Sequence, residues 1–222
     1  MVRLQELQKE LQALGSPEKA AFLSRFFKTG KGQYGEGDQF LGITMPEIRA
    51  SVAKYSALSI NEWTELLHSP FHEFRMAALI GLMKRFQKSK KDEAIQQSIF
   101  EIYLNNLDYI NNWDLVDVTC RDIVGAYLLD KDRSILYNLA QRPHLWTQRV
   151  AIVSTWYFIT RNQFSDTIRL SEILLAHKHD LIHKAVGWML REIGKRDELV
   201  LEEFLDTHVN QMPRTALRYA IE

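Results

Sequence analysis

Apolar residues recur every three or four positions along nearly the whole chain. One such stripe joins Val2, Leu4, Leu7, Leu11 and Leu14, and others run through residues 71–86 and 182–193. This spacing places the apolar side chains on one face of an α-helix. Only ten of the 222 residues are Gly and five are Pro, and no alternating segments flank an Asn-Gly or Asp-Gly turn. The pattern therefore predicts an all-α fold.

Helix start signals agree with this prediction. Ser16-Pro17-Glu18 offers a capping hydroxyl followed by Pro at the first helical position. Similar signals with weaker caps occur at residues 45–47 and 212–214. We therefore expect helices to begin at these three places.

Composition excludes several classes of protein. Lys plus Arg and Asp plus Glu both number 28, so the formal net charge is zero, which excludes a polybasic binder but leaves room for a locally basic face. A single cysteine, Cys120, excludes a disulfide framework and a Cys-rich zinc module. No apolar run reaches the roughly 18–20 residues that span a bilayer, and the N-terminus lacks the apolar core of a signal peptide. We expect a soluble, cytoplasmic protein without membrane association.

Residues 29–42 hold half of all the glycines and separate two predicted N-terminal helices from the rest of the chain. Gly30, Gly32 and Gly35 match a dinucleotide-binding pattern, but that pattern has a mechanism only between a strand and a helix. Since no strand precedes it, we interpret the segment as a flexible loop rather than as a nucleotide-binding site.

From about residue 59 the helices look paired and repeated. Five second helices align in one frame, about 30 to 42 residues apart, which is typical of helical repeats that stack side by side. We predict a HEAT-like superhelix with a concave groove in one domain over 1–222: N-terminal helices in 1–28, a Gly-rich loop in 29–44 and repeats in 45–222. An irregular helical bundle is the alternative. The aligned segments begin at Arg75, Asp117, Arg149, Lys184 and Arg214.

The aligned positions hold four cations and one carboxylate. Spaced cations along a groove suit a phosphodiester backbone, because each contact releases condensed counterions. The alternative is a solvated repeat surface with local ion pairs. The predicted DNA contacts are Arg75, Lys184, Arg191, Lys195, Arg214 and Arg218.

Asp117 is the one negatively charged residue among the five aligned positions. Trp113 precedes it by one helical turn, and Asp114, between them, is better explained as a capping group at the helix start. A carboxylate among cations, kept ionised by Arg149 if the two are close, disfavours DNA binding unless it has a chemical role. N-alkylated purines carry a positive charge and a weakened glycosidic bond, so an enzyme needs mainly to stabilise an oxocarbenium-like sugar and position a water. Asp117 could do both, with Trp113 and Trp188 packing on the sugar or the cationic base.

Three motifs resemble the AlkD-type DNA alkylation repair glycosylases over nearly the whole chain. They are residues 112–117 (NWDLVD), 145–152 (LWTQRVAI) and 184–192 (KAVGWMLRE), with Phe40-Leu41-Gly42-Ile43 and Pro46 after the glycine loop. The resemblance implies a HEAT-like superhelix that excises 3-methyladenine and 7-methylguanine from duplex DNA without flipping the lesion into a base-specific pocket. It implies a catalytic Asp117, sugar-contacting Trp113 and Trp188, an essential Arg149, and phosphate contacts from Arg191 and Lys195.

The resemblance is incomplete at one position and leaves other functions open. An aromatic hydroxyl of the family falls on Phe26, which has none. Some relatives bind DNA without catalysis, so a non-catalytic binder of damaged or branched DNA is the alternative to a monofunctional glycosylase, and a protein-interaction scaffold is the third class. We expect no lyase activity, no cofactor and a monomer.

Other chemically distinctive residues favour ordinary structural roles. His179 and His183 lie one helical turn apart, but a zinc site needs further ligands, and Asp180 is better explained as a helix cap beside exposed histidines. Cys120 lies in an apolar frame that suggests burial. We expect no metal site, and we expect packing roles for Trp63, Trp146 and Trp156.

Overall fold

The computed structural model describes residues 2–222, and all its regular elements in that range are helical apart from one isolated bridge between Gln39 and Phe71. The all-α prediction is therefore confirmed. No helix in this range is both long and apolar enough to cross a membrane. The α-helices are α1 (Val2–Ala13), α2 (Pro17–Phe26), α3 (Met45–Lys54), α4 (Ile60–Leu67), α5 (His72–Lys88), α6 (Glu93–Asn105), α7 (Trp113–Cys120), α8 (Ser134–Gln141), α9 (Leu145–Ser154), α10 (Trp156–Ile159), α11 (Ser165–Leu174), α12 (Asp180–Gly194), α13 (Glu198–His208) and α14 (Arg214–Ile221).

The predicted helix starts coincide with real ones. Helix α2 begins at Pro17, and the Ser16 hydroxyl accepts a hydrogen bond from the backbone N–H of Lys19. Helix α3 begins at Met45, where the Glu47 carboxylate accepts from both the backbone N–H and the hydroxyl of Thr44. Such reciprocal bonds satisfy amides that the first helical turn leaves free. Helix α14 begins at Arg214 without a side-chain cap, as its weaker signal suggested.

At α12 the predicted cap is wrong by one residue. His179 precedes the helix, and its imidazole accepts from the backbone N–H of Leu181, while Asp180 is already helical. The reason is that Asp180 pairs instead with Lys184 one turn later. His179 and His183 are half-buried rather than exposed.

The chain divides into two compact units, one ending at Leu115 and the other running from Val116 to Glu222. In the first unit, α5 is the central helix and packs against α3, α4 and α6, and nearly every residue from His72 to Met83 is buried. Gly81 allows α4 to lie close, since a Cβ there would stand 2.5 Å from the indole of Trp63. The apolar stripe over residues 71–86 thus forms much of this core.

In the second unit two pairs agree with the repeat frame, but α13 packs on the helix that precedes it. Helix α8 packs on α9, α11 on α12 and α13 on α12. The second helices also contact one another, α9 against α12 and α12 against α14. All five aligned segments lie in helices, namely α5, α7, α9, α12 and α14. The superhelix and the single-domain organisation stay predictions.

Two glycines bring helices of the second unit together. A Cβ at Gly187 would lie 2.3 Å from the backbone oxygen of Ala216, and one at Gly125 would lie 2.2 Å from that of Ser154. Gly125 ends the π-helical turn Arg121–Gly125 that continues α7. Insertion of a residue into a helix in this way often accompanies a functional site. Both glycines lie within helices, so their backbone conformation does not require Gly. Gly is needed at these positions because a larger side chain would overlap the neighbouring backbone.

We predict that Gly187→Ala lowers the free energy of unfolding by about 1–3 kcal/mol, because the added methyl overlaps the backbone of α14. Chemical denaturation measures this loss. Gly194→Ala is the matched control, since its Cβ would meet mainly the movable Leu201 side chain. Equal losses in the two variants would contradict the assignment of a close α12–α14 contact to Gly187.

Candidate functional site

Asp117 and Arg149 form the central ion pair of the second unit. The guanidinium Nε donates to Asp117 Oδ1 at 2.8 Å and Nη2 donates to Oδ2 at 2.6 Å. The side chains are only 6% exposed for Arg149 and 16% for Asp117. Such a two-point contact fixes the plane of the carboxylate and favours its ionised form. The sequence analysis left open whether Arg149 lies close to Asp117, and the structure shows that the two side chains are in direct contact.

A third bond ties Arg149 to the start of α12. Its Nη1 donates to the backbone oxygen of Leu181 at 2.5 Å. His177 and His179 accept backbone hydrogen bonds in the same segment, which requires an unprotonated Nδ1 on each. Burial lowers the pKa of both histidines, and neighbouring histidine charges lower it further. Arg149 thus joins α9 to α7 and to a segment held by neutral imidazoles.

These histidines do not form a metal centre. Across residues 2–222 no group of three or more His, Cys, Asp or Glu side chains is arranged to hold a metal ion. His183 instead bonds through Nε2 to the backbone oxygen of His177. The Cys120 thiol is fully buried, and burial together with the charge of Asp117 raises its pKa, so it is not poised as a nucleophile.

Trp188 belongs to a stack that sequence reasoning missed. Its ring meets the edge of Trp156, with centroids 5.0 Å apart and an interplanar angle of 62°. The guanidinium of Arg121 lies over the ring of Trp156, 4.5 Å from its centroid. Trp156 is half-buried rather than a core residue. Trp156, the first residue of α10, therefore supports the ring of Trp188, whereas the sequence analysis assigned it only a general packing role.

Trp113 is held by aromatic residues of the first unit. Its ring stacks on Phe27 at 5.3 Å between centroids and meets Phe26 at 6.1 Å in an edge-to-face arrangement. Phe27 is buried, whereas Phe26 is 52% exposed. The two phenylalanines thus fix the ring of Trp113, which remains half-buried.

A buried polar cluster holds the start of α7, and Asp38 of the Gly-rich loop is at its centre. The Asp38 carboxylate accepts from Arg75 Nη2 at 2.6 Å, from His72 Nδ1 at 3.2 Å and from the amides of Asn111 and Asn112. The side chains of Asp38, His72 and Arg75 are 4% exposed or less. The Gly-rich segment, predicted as a flexible loop, is therefore anchored in the interior at this residue.

His72 links this loop to α7. Its Nε2 lies 2.8 Å from a carboxylate oxygen of Asp114, while Nδ1 faces Asp38. Because both partners are carboxylates, both ring nitrogens must carry protons. The other oxygen of Asp114 accepts from the backbone N–H of Leu115, but Asp114 is already the second residue of α7, so it pairs with a buried cation in the first turn instead of preceding the helix as a cap.

The electrostatics of the cluster agree with an imidazolium. Burial by itself lowers the pKa of His72, but the charge of Asp114 and the hydrogen bonds to Asp114 and Asp38 raise it to about 9. For Asp38, burial raises the pKa, but the hydrogen bond from His72 and the charges of Arg75 and His72 lower it below its ordinary value. Both groups are therefore charged at neutral pH.

The structure does not suit the predicted DNA contact at Arg75. This residue is 3% exposed, and its guanidinium donates to Asp38, to Asn111 and to the backbone oxygens of Ser69 and Pro70. A phosphate contact needs a guanidinium that solvent can reach. Arg75 is thus part of the internal cluster, because the first unit supplies a buried carboxylate that the sequence pattern did not reveal.

The other predicted DNA contacts reach solvent to different degrees. Lys184 pairs with Asp180, Lys195 with Glu192 and Arg218 with Glu222, each within one helical turn. Arg214 is exposed, and Arg191 is half-buried with an Nε that finds no partner. Exposed pairs of this kind contribute little stability, so a phosphate can replace the carboxylate.

A cavity of about 310 Å³ lies inside the first unit, between α2, α3 and α5. Phe22, Phe27, Phe40 and Met76 contribute to its apolar wall, and Glu73 is one of its few polar groups. The Glu73 carboxylate accepts from the backbone N–H groups of residues 41, 42 and 43. The Glu73 carboxylate is therefore already satisfied, and His72 and Asp114, which also line the cavity, bond to each other.

Comparison with known proteins places these residues in a family. The family model described as DNA alkylation repair enzyme matches residues 7–222. A solved structure, the predicted DNA alkylation repair enzyme from Enterococcus faecalis, is similar with a TM-score of 0.71 and 19% identity over 93% of this chain and 94% of that chain. This likeness supports the fold. No protein with a curated description matches.

The His72 imidazolium predicts a pH dependence of stability. A group whose pKa is raised on folding stabilises the protein fully below its unfolded value, near 6.5, and this contribution is lost as pH rises through about 9. We expect the free energy of unfolding of the wild type to decline over this interval and His72→Gln to lack that decline. Denaturant titrations at several pH values measure it, with His68→Gln on the exposed end of α4 as control. An unchanged decline in His72→Gln would contradict the assignment.

Proposed function

This chain belongs to the DNA alkylation repair enzyme family, and we propose that it is a monofunctional glycosylase. Its substrates are positively charged N-alkylated purines, such as 3-methyladenine and 7-methylguanine, in duplex DNA. The observation that carries the proposal is the Asp117–Arg149 pair, an oriented carboxylate in the motif that resembles the AlkD-type glycosylases. A role in alkylation repair follows from the family, and the chemistry is the proposal.

The reaction breaks the bond between C1′ of deoxyribose and N9 of the purine, whose ring carries a positive charge because N3 or N7 is alkylated. Both electrons of this bond leave with the base, which becomes neutral, so no acid is needed to protonate the leaving group. Positive charge develops on the sugar, and the Asp117 carboxylate stabilises it electrostatically. A water then attacks C1′, and its proton passes to Asp117 or to solvent, which leaves an abasic site and a free purine.

Arg149 prepares Asp117 for this role. Its two hydrogen bonds hold the carboxylate in one plane, and its third bond, to Leu181, holds the guanidinium in place. A preoriented charge needs little reorganisation when the sugar becomes cationic. Arg149 therefore positions the catalytic carboxylate without contacting the bond that breaks.

Trp113 and Trp188 provide faces for the sugar or the cationic base. Indole faces attract cations through their ring electrons. Each ring is supported by its own neighbour, Phe27 for Trp113 and Trp156 for Trp188. The remaining contacts go to phosphates, through Lys184, Arg191, Lys195, Arg214 and Arg218, and Arg75 is not among them.

Asp117→Asn should reduce release of 7-methylguanine from methylated duplex DNA by about 10²–10³-fold, because the neutral amide removes the charge that stabilises the sugar. Asp166→Asn is the matched control: its carboxylate also pairs with an arginine, Arg133, and is equally exposed at 16%. We expect Asp166→Asn to retain wild-type release. Chromatography of the free base measures both.

The outcomes separate the glycosylase from the non-catalytic DNA binder. Release by the wild type that Asp117→Asn leaves unchanged would refute the role of Asp117. No release by the folded wild type, with tight and salt-sensitive DNA binding, would instead assign a non-catalytic binder of damaged or branched DNA.

We also expect no strand cleavage. A glycosylase that nicks the backbone forms a Schiff base through an amine whose pKa is depressed. Lys184 and Lys195 are instead partly exposed, and each is paired with a carboxylate within one helical turn, so neither amine lies in the apolar surroundings that such a nucleophile needs. Borohydride reduction in the presence of abasic DNA should give no covalent adduct, and an adduct would refute this part of the proposal.

A further inference from the structure

We propose that the exposed end of α2 and the turn after it form a second DNA-contact surface. This α2 strip consists of Phe22, Arg25, Phe26, Lys28 and Lys31, all of them exposed. Its cations bind phosphates of duplex DNA, and the Phe22 ring packs on the adjoining deoxyribose or base edge. The inference rests on the proposed function only in taking DNA as the ligand.

The aromatic part of the strip consists of two exposed rings held side by side. Phe22 is 58% exposed and Phe26 is 52% exposed, and their ring centroids are 6.1 Å apart with an interplanar angle of 15°. Helix α2 has no fully buried residue. Adjacent large apolar side chains on a surface mark an interaction site more often than isolated ones do. Nearly parallel rings offer a flat apolar area to a ligand.

The charged part consists of cations without local partners. Arg25, Lys28 and Lys31 are exposed, and no carboxylate between residues 2 and 222 lies within ion-pair distance of them. Lys184, Lys195 and Arg218, by contrast, are each paired. A phosphate that binds the α2 strip therefore displaces no internal ion pair. The interleaving of cations with aromatic rings is typical of surfaces that bind nucleic-acid chains.

The strip is continuous with a proposed sugar-contacting residue. Phe26 stands between Phe22 and Trp113, and its ring meets that of Trp113 edge to face at 6.1 Å. All these residues lie in the first unit. DNA that touches Trp113 would thus meet Phe26 and then Phe22 along the same row of rings.

A lipid surface is less suited to the strip than DNA is. Helices that lie on membranes present a broad apolar face, whereas the exposed apolar part of α2 consists of two rings flanked by Lys19, Arg25 and Glu18. The cations continue past the helix, to Lys28 and Lys31 in the turn. A row of cations that leaves the helix axis fits a phosphate chain better than a flat bilayer.

The test compares two triple variants that remove the same charge from the same unit. Arg25→Gln/Lys28→Gln/Lys31→Gln neutralises the strip, and Lys88→Gln/Lys90→Gln/Lys91→Gln neutralises three exposed lysines at and beyond the end of α5. Binding to an unmodified duplex is measured by fluorescence anisotropy over a series of salt concentrations. We expect the slope of log K against log salt to decrease by about 2–3 in magnitude for the strip variant, close to 0.9 for each lost phosphate contact. The lysine variant should keep the wild-type slope.

The rings are tested separately by Phe22→Ala, with Leu199→Ala as the control for removal of an exposed apolar side chain. Burial of an exposed phenylalanine ring against a ligand changes affinity by roughly ten- to hundredfold. We expect a loss in that range for Phe22→Ala, an unchanged salt slope and an unchanged melting temperature. Leu199→Ala should bind like the wild type.

Each outcome decides the inference. Equal effects of the two triple variants, or a wild-type slope in the strip variant, would overturn the strip as a specific surface. Vesicle binding that the strip variant loses, together with unchanged DNA binding, would assign the surface to lipid instead. Since the duplex carries no lesion, loss of DNA binding in the strip variant supports the inference even if the wild type releases no base, in which case only the glycosylase proposal fails.

Discussion

Buried arginines that bond to more than one segment are the constraint around which both units are organised. Arg149 on α9 reaches Asp117 on α7 and the backbone of Leu181 at the start of α12. Arg75, its equivalent in the repeat frame, reaches Asp38 and Asn111. A guanidinium that stays charged must find acceptors when it is buried. Two of the five aligned positions thus hold buried arginines that connect separate segments of the chain. In the second unit the bonds from Arg149 also orient the proposed catalytic carboxylate of Asp117.

The two proposed sugar-contacting tryptophans depend on different kinds of support. Trp113 lies at the start of a helix whose preceding asparagines and following aspartate are bonded into the Asp38–His72 cluster. Trp188 lies in mid-helix and depends on ring contacts with Trp156, which is also in contact with the guanidinium of Arg121. Gly187, next to it, allows α12 to approach α14 closely. Trp113 is positioned mainly by the polar cluster because it lies at a helix start, whereas Trp188 is positioned by packing because it lies in mid-helix.

Much of the fold and part of the candidate site were predictable because they depend on local patterns. Apolar spacing, capping groups and Pro positions act within a few residues, and they gave the helix starts at Pro17 and Met45. Local patterns failed where a long-range partner decides the outcome. Asp180 was expected to cap α12 but pairs with Lys184, and Asp38 lies in a glycine-rich segment with no pattern around it, yet it binds Arg75 from 37 positions away.

The sequence by itself determined an all-helical chain, several of its helix starts, and the motifs that carry Trp113, Asp117, Arg149 and Trp188, since periodicity and motif spacing are properties of neighbouring residues. Only the tertiary structure decided which cations are internal and which are exposed. It buried Arg75 against Asp38, paired Arg149 with Asp117, and left Arg25 and Lys28 in solvent beside two phenylalanines. The physical reason is that the environment of a charge depends on which acceptors folding brings to it, and those acceptors come from residues far away in the sequence.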